Sequence, residues 1–327
     1  MKVALGVDTS CYVTSAAVVG EAGDVLYNGR EPLPVEIGGL GLRQSEAFFL
    51  HMRQLPSLID EAFAVLRAAG HTLCAIGVSA APREAEDSYM PVFAAGLRTA
   101  MVLGSAVNVP VHSFSHQQGH LRAAEIGLRG LDQRMIGIHL SGGTTEVLDV
   151  TRRDHTAKVL GGTQDISAGQ WIDRIGVLLG CPFPAGSAMQ ALAQSGKPGQ
   201  KAIGIPVRQG WMSFSGAEAE VKRRIQGGAD AADLALEMFC SLARALCKAL
   251  VYAHEATGLR QALIAGGVAA NTIVREQVTE AMKKRCRTLE VFFADPAYAG
   301  DNAAGTALLA MSVATGQRIE KEESDAR

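Results

Sequence analysis

Residues 2–19, "KVALGVDTSCYVTSAAVV", and residues 134–150, "RMIGIHLSGGTTEVLDV", share one pattern. Each is an apolar strand, a short polar turn of Ser, Thr or Gly, and a second apolar strand. A strand–turn–strand unit that returns in the second half of a chain constrains the fold more than any other feature here. It predicts an internally duplicated α/β protein in which each lobe opens with a β-hairpin and continues with alternating helices and strands. At 327 residues there is enough chain for two core-forming units. The N-terminal lobe is expected over 1–121 and the C-terminal lobe over 122–327, with the final helix packing back toward the first lobe.

The rest of the pattern fits that frame. After a glycine-rich turn at 37–42, residues 43–70 have helical periodicity, with Pro56 expected to kink or break the helix. A buried strand over 73–82, a helix over 92–107 and a strand over 109–114 follow. In the second half, helices are expected over 168–180, 231–258, 272–285 and 300–316, and strands at 261–265 and 289–295. The tail 318–327 is polar and expected to fray.

Composition narrows the class. Hydrophobic residues make up 48%, charged residues 20%, and the formal charge is −2, as in a soluble globular enzyme. No run of 18 apolar residues suggests a membrane span, and the first residues enter a strand rather than a secretory signal. Cys11, Cys74, Cys181, Cys240, Cys247 and Cys286 are scattered without a CxxC pair, which fits reduced thiols in a cytoplasm. The basic clusters at 221–225 and 282–287 are either solvated helix faces or a local nucleic-acid patch.

Chemistry-bearing residues concentrate in a few segments. "HSFSHQQGH", 112–120, sets His112, His116 and His120 at steps of four. On a helix, His116 and His120 share a face and close on one metal ion, or they form a polar face with nothing bound. His112, nearer the preceding strand, reads as a packed or supporting residue. Asp301, in "GDNAAGTALL", either caps the last helix or completes the two-histidine site. The turn at Asp8, Thr9 and Ser10 and the turn at Ser141, Gly142, Gly143, Thr144 and Thr145 are ordinary hairpin turns or, as a matched pair, clamps for a phosphate. Asn271, in "AGGVAAN", is a helix cap or reads a nucleotide hydroxyl or base edge.

Taken in order, "GVDTSC", "SHQQGHL", "SGGTTEV", "AGQWIDRIGVLLGCPFPAG", "MSFSG", "GGVAAN" and "DNAAGTA" resemble the tRNA threonylcarbamoyladenosine synthase family, formerly called O-sialoglycoprotein endopeptidases or glycoproteases. The resemblance runs from residue 3 to about 312. It implies the two-lobed actin-like ATPase and sugar-kinase fold, of the ribonuclease H-like type. It also implies transfer of a threonylcarbamoyl group from threonylcarbamoyl-AMP to N6 of a tRNA adenosine beside the anticodon. The family's metal ligands match His116, His120 and Asp301, and one divalent ion, iron or zinc, is implied. Substrate and nucleotide contacts, with threonylcarbamoyl-AMP or ATP/ADP as the adenine nucleotide, match Ser141, Gly142, Gly143, Thr144, Thr145, Asp173, Gly186 and Asn271. Expected partners are tRNA, a fold-sharing subunit and an ATPase, with no membrane.

Several positions depart from the family pattern. Two acids of the opening turn become Tyr12 and Val13. Gly-Gly-His-Thr-Gln becomes Gly142, Gly143, Thr144, Thr145 and Glu146. Asp-Asp-Ala-Ala-Gly-Glu-Ala-Phe-Asp-Lys becomes the segment 165–174, with Gln170 and Arg174, and Glu218 stands where a lysine is usual. Changed charges in a desolvated cleft alter pKa values and contacts by kilocalories. The chain therefore reads as a divergent paralogue. Carbamoyl transfer to a small molecule and a weakly catalytic nucleotide-binding subunit are the alternative functions. Peptidase activity is disfavoured, because the histidine pair lacks the glutamate of HExxH.

Overall fold

The structure, a computed structural model, describes residues 1–10, 12–35, 42–83, 88–153, 156–197, 199 and 202–316. Cys11, the expected turn at 37–42 apart from Leu42, and the tail 318–327 lie outside the described residues. The first lobe contains β1 (Lys2–Asp8), β2 (Val13–Gly20), β3 (Val25–Pro32), α1 (Gln44–Ala69), β4 (Thr72–Ala81), α2 (Phe93–Val107) and β5 (Val111–Ser115), and α3 (His116–Ala124) follows. Next come β6 (Arg134–Leu140), β7 (Thr145–Thr151), β8 (Thr156–Thr163), α4 (Ala168–Leu178), α5 (Gly186–Ala193), β9 (Val207–Arg208), β10 (Trp211–Met212) and α6 (Ser215–Gln226). The chain continues through α7 (Ala231–Thr257), β11 (Gln261–Ala265), a 3₁₀ turn (Gly267–Ala270), α8 (Thr272–Arg285), β12 (Glu290–Phe293), α9 (Pro296–Ala299) and α10 (Ala304–Thr315).

The duplication is explicit in the sheets. The first has strand order β3-β2-β1-β4-β5 and the second contains β8-β7-β6-β11-β12. In each, a three-stranded antiparallel meander is followed by two parallel strands, β4 and β5 or β11 and β12. The second sheet is extended beyond β8 by the short β10–β9 hairpin. Sequence periodicity gave no sign of that hairpin, of α5 or of α6, all short or broken by small polar residues.

Side-chain alternation on β1 shows how the layers assemble. Val3, Leu5 and Val7 face α1 and α2, packing with Leu55, Ala62, Leu66, Ala95 and Ala100. Ala4 lies on the other face, against Ala307, Leu308, Ala310 and Met311 of α10. On that same face, Gly6 of β1 pairs in register with Gly77 of β4. A Cβ on Gly6 would sit 2.1 Å from the Ala303 carbonyl, and one on Gly77 would sit 2.1 Å from the Thr306 carbonyl. The two glycines form a groove that seats the backbone of α10 directly on the first sheet.

α3 makes the reciprocal crossing. Its Leu121 and Ala124 pack on the second sheet with Met135, Leu148, Val150 and Leu263. Thus α3, which follows the last strand of the first sheet, covers the second, and α10, from the end of the chain, covers the first. The two helices meet between the sheets at Gly305, where a Cβ would lie 1.9 Å from the Gly119 carbonyl.

Two local readings need correction. α1 runs unbroken through Pro56, because Leu55, Leu58, Ala62 and Leu66 continue one buried stripe across it. Its packed face outweighs the roughly 3 kcal/mol that an interior proline costs. The last helix starts at Ala304 rather than residue 300, with Ala303 at its N-cap position, and Asn302 Oδ1 accepts from the Ala304 N–H at 3.0 Å. Asp301 therefore lies outside the helix and is not its cap.

The basic cluster at 221–225 is internally neutralised. Lys222 pairs with Glu218, and Arg223 and Arg224 pair with Glu220 at 2.6 and 2.9 Å. Cys74, Cys181, Cys240, Cys247 and Cys286 are free thiols. Among the described residues no helix is long and apolar enough to cross a membrane.

Asp165 ties the loop before α4 to the loop before α6. It accepts from the Ser213 hydroxyl at 2.6 Å and from the Phe214 and Ser215 N–H groups, each at 2.9 Å. Burial pushes its carboxyl up, but these bonds outweigh that and hold it well below the usual range. Stability from a lowered pKa is complete above the ordinary value of about 4 and is lost as pH falls toward the folded-state value. Asp165→Asn is therefore expected to cost about 1 kcal/mol at pH 7. In urea melts its deficit against wild type should shrink between pH 7 and pH 3; a deficit that grows on acidification contradicts the assignment.

Candidate active site and metal centre

α3 begins where a capping box starts it. The Ser115 hydroxyl accepts from the Gln118 N–H at 3.1 Å, and the Gln118 side chain accepts from the Ser115 N–H at 2.9 Å. His116 is consequently the first helical residue, and His120 lies one turn along the same face. His112 is on β5, outside the helix, so the three-histidine ladder divides between a strand and a helix.

The crossing of α10 over α3 brings in Asp301. His116 Nε2 and His120 Nε2 are 2.8 Å apart, and Asp301 Oδ1 lies 3.5 Å from the first and 3.2 Å from the second. Ligands bound about 2.0–2.1 Å from a tetrahedral ion are separated by roughly 3.3 Å, so the triangle fits a single ion. Among the described residues this is the one group of three or more His, Cys, Asp and Glu side chains whose ligand atoms converge in this way. Two imidazoles and a carboxylate suit zinc or iron.

Asp8 stands behind the triangle. It is 1% exposed and accepts from the Ser10 N–H at 2.7 Å, the Ser79 hydroxyl at 2.6 Å and His116 Nδ1 at 2.8 Å. A carboxylate only accepts, so the Nδ1 proton is fixed and His116 Nε2 is turned toward the triangle. This differs from the phosphate turn expected at Asp8, Thr9 and Ser10. All three are buried, and the Thr9 hydroxyl donates to the Val92 carbonyl and accepts from the Gly96 N–H.

The electrostatics favour a cation. Burial alone would raise the Asp301 carboxyl, but His116 and His120 hold it well below the usual carboxylate range. Burial would lower His116, yet the charge of Asp8 and the bond to Asp301 push it up to about 10. His120 is lowered by burial and by His116. The buried Asp8 and the half-buried Asp301 thus place two carboxylates around one raised imidazole, a negative balance that a divalent ion would compensate.

The glycine turn lies at the ends of β6 and β7. Ser141 and Thr144 brace it through a 2.9 Å backbone bond and a 3.0 Å hydroxyl contact, while Ser167 donates to the Gly142 carbonyl at 2.6 Å. The Thr145 hydroxyl accepts from the first N–H of α4 at 2.8 Å. Gly142 and Gly143 are exposed, and nothing lies within 4 Å of where their Cβ atoms would be. The turn is therefore open to an anion at the start of α4.

Other expected residues are wired into the same lobe. Asp173 accepts from the Ala185 N–H at 2.7 Å, placing Gly186 at the start of α5. Burial raises the Asp173 carboxyl. Gln190 of α5 accepts from the Thr272 N–H, and the neighbouring Asn271 caps α8 by accepting from the Val274 N–H at 2.9 Å. Gly266 presses against Leu140, where a Cβ would lie 2.2 Å from the carbonyl, so the turn after β11 adjoins the turn after β6.

The substituted positions also have partners. Gln170 completes the capping box of α4, a local role. Arg174 reaches Glu218 at 3.3 Å, pairing two altered positions with each other. Tyr12, from the first hairpin, meets Phe183 of the second lobe edge-on at 5.3 Å across the cleft. Glu146 is buried, accepting from Gln117 Nε2 at 2.6 Å and pairing with Arg83 at 2.7 Å. His139 is also buried, its ring 4.6 Å from that of His120. Sequence reading missed Arg83 and His139; the one signal was a histidine inside the otherwise apolar strand "MIGIHL".

Known proteins place this geometry in context. The family model of tRNA N6-adenosine threonylcarbamoyltransferase (TsaD) matches residues 41–308. The enzyme of that name from Aromatoleum aromaticum is 32% identical over 97% of this chain and 93% of its own, and that from Moorella thermoacetica is 29% identical over 92% and 88%. Among solved structures, HypF from T. kodakarensis superposes with a TM-score of 0.62 at 16% identity, over 96% of this chain and 47% of the HypF chain. A ROK family glucokinase from Streptomyces griseus superposes with a TM-score of 0.51 at 15% identity, over 94% of this chain and 99% of its own. These likenesses agree with the duplicated sheets in giving the actin-like, ribonuclease H-like fold. The match over most of its length shows that the chain belongs to the tRNA N6-adenosine threonylcarbamoyltransferase family.

Proposed function

We propose that this protein transfers a threonylcarbamoyl group from threonylcarbamoyl-AMP to N6 of a tRNA adenosine, at a divalent iron or zinc ion held by His116, His120 and Asp301. The observation that carries this reading is the convergence of His116 Nε2, His120 Nε2 and Asp301 Oδ1, with Asp8 fixing His116 from behind. When bound, such an ion acts as a Lewis acid that polarises the acyl carbonyl.

The remaining work falls to the chain's own groups. The open N–H groups around Gly142 and Gly143 would hold the phosphate and stabilise AMP as leaving group. Gly186 and Gly267, each with open space where a Cβ would stand, together with Asp173 and Asn271, would meet the nucleoside. The N6 amine attacks the carbonyl carbon, a C–N bond forms, the C–O bond to phosphate breaks, and one amine proton is released. An exocyclic amine is a weak nucleophile, so orientation between the two lobes must supply much of the rate. Exposed apolar side chains on the first lobe, Phe49 and Met52 of α1 with Met101 and Val102 of α2, support the expectation of a fold-sharing partner subunit.

The reading is tested with labelled threonylcarbamoyl-AMP and tRNA lacking the modification. Label should enter the tRNA with metal-loaded protein and not after chelation. Label transferred at equal rates in both states would contradict the metal role, and transfer to a small amine in preference to tRNA would favour carbamoyl-type chemistry.

A further inference from the structure

Beside the metal triangle lies a second cluster that the transfer reading leaves without a task. Arg83 follows β4, and its Nη2 is 2.7 Å from Glu146 Oε1 on β7. The other oxygen of Glu146 accepts from Gln117 Nε2 at 2.6 Å, and Gln117 sits on α3 between the two histidine ligands. The guanidinium is thus held by a carboxylate that is itself held by the metal-bearing helix. Glu146 is 5% exposed while the Arg83 side chain is 51% exposed, so one end of the pair is anchored inside and the other is open to solvent. A guanidinium has five N–H donors in a planar fork. Among the described residues Glu146 is the one carboxylate paired with this side chain, which leaves a donor edge for a second one.

His139 adds an independent observation. It lies directly opposite Glu146 in the β6–β7 ladder, so both side chains are on the face turned toward α3. It is 3% exposed, and neither ring nitrogen has a hydrogen-bond partner. A buried imidazole without a partner is a rare and costly arrangement that a bound polar group would relieve. The corner therefore offers a fixed cation and an unpartnered donor within reach of the metal ligands.

We propose that Arg83, oriented by Glu146, binds the carboxylate of an amino-acid-derived acyl group, so that the site selects a carboxylate-bearing carbamoyl adenylate over a bare carbamoyl adenylate. This rests on the transfer reading above and names the residue that sets its acyl specificity. The adenylate phosphate has its own place at the open 142–143 turn, which leaves the Arg83 corner for the acyl end. Glu146 is a positioning residue: without it the guanidinium remains but loses its fixed direction.

The test uses metal-loaded, full-length protein and three probes in calorimetry. They are a non-hydrolysable sulfamoyl analogue of threonylcarbamoyl-AMP, the same analogue with the threonine carboxylate converted to a carboxamide, and AMP. Wild type should prefer the carboxylate to the carboxamide by on the order of tenfold to a hundredfold. Arg83→Gln should abolish the preference and leave AMP binding unchanged, Arg83→Lys should restore part of it, and Glu146→Gln should reduce it with a smaller effect. Thermal melts of each variant check that the fold is retained. Equal binding of the two analogues by wild type would overturn the proposal. So would an equal loss of all three probes in Arg83→Gln, which would mark Arg83 as a phosphate ligand. Failure of wild type to bind any probe, AMP included, would overturn the transfer reading and this proposal with it.

Discussion

His116→Ala is expected to lower transfer by about a thousandfold, the several kilocalories that a bound Lewis acid contributes. It removes one of the three proposed ligands and leaves Asp8 with a buried charge and no imidazole partner. Metal content by elemental analysis should fall with activity. Asp8→Asn tests the supporting shell separately. The ligand triangle is retained, but the carboxylate that fixes the His116 ring is gone, and metal affinity should drop on the order of tenfold to a hundredfold. Full metal retention in His116→Ala would mean that the triangle is not the binding site.

Gly305→Val should produce the largest loss of stability. A Cβ at this position would lie 1.9 Å from the Gly119 carbonyl and 3.0 Å from the Ala123 nitrogen, both backbone atoms that side-chain rotation cannot move. α10 must then lift from α3 or from the Gly6–Gly77 groove beneath it. The expected cost is about 3 kcal/mol or more, read from urea or thermal melts. Because Asp301 precedes α10 and His116 and His120 ride on α3, metal affinity should fall in the same variant. Gly143→Ala provides the contrast. Nothing lies within 4 Å of its missing Cβ, so stability should change by less than about 0.5 kcal/mol while adenylate binding weakens. Equal destabilisation by the two substitutions would contradict the helix crossing described here.

Much of this was legible from local patterns. The two hairpins announced themselves because a strand–turn–strand unit needs only alternation and a polar turn, and both occur twice. α4, α7 and α8 followed from their periodicity, and Asn271 was read as a cap of the last of them. The histidine pair was visible as a spacing, though spacing alone left a polar helix face equally open.

What escaped the sequence depends on packing between distant segments. The return of the final helix to the first lobe was expected, but the way it is seated was not legible: Gly6, Gly77 and Gly305 look like ordinary glycines until a helix backbone lies against them. Asp301 read equally as a helix cap because the helix starts three residues further on, at Ala304, where the neighbouring Asn302 accepts from the first N–H. Asp8 seemed part of a phosphate turn, since a carboxylate at the end of a strand reveals its partner only when α3 is in place. Glu146, noted as a departure, became interpretable once Arg83 and Gln117 were beside it.

The central claim is that one metal-dependent site between the lobes binds the acyl adenylate. Its most direct test is calorimetric titration of threonylcarbamoyl-AMP into metal-loaded wild type, metal-free wild type and His116→Ala. Binding to the loaded protein that weakens at least about tenfold in the other two states is the expected result. Equal affinity in all three states would contradict the account and leave a metal-indifferent nucleotide-binding protein in its place.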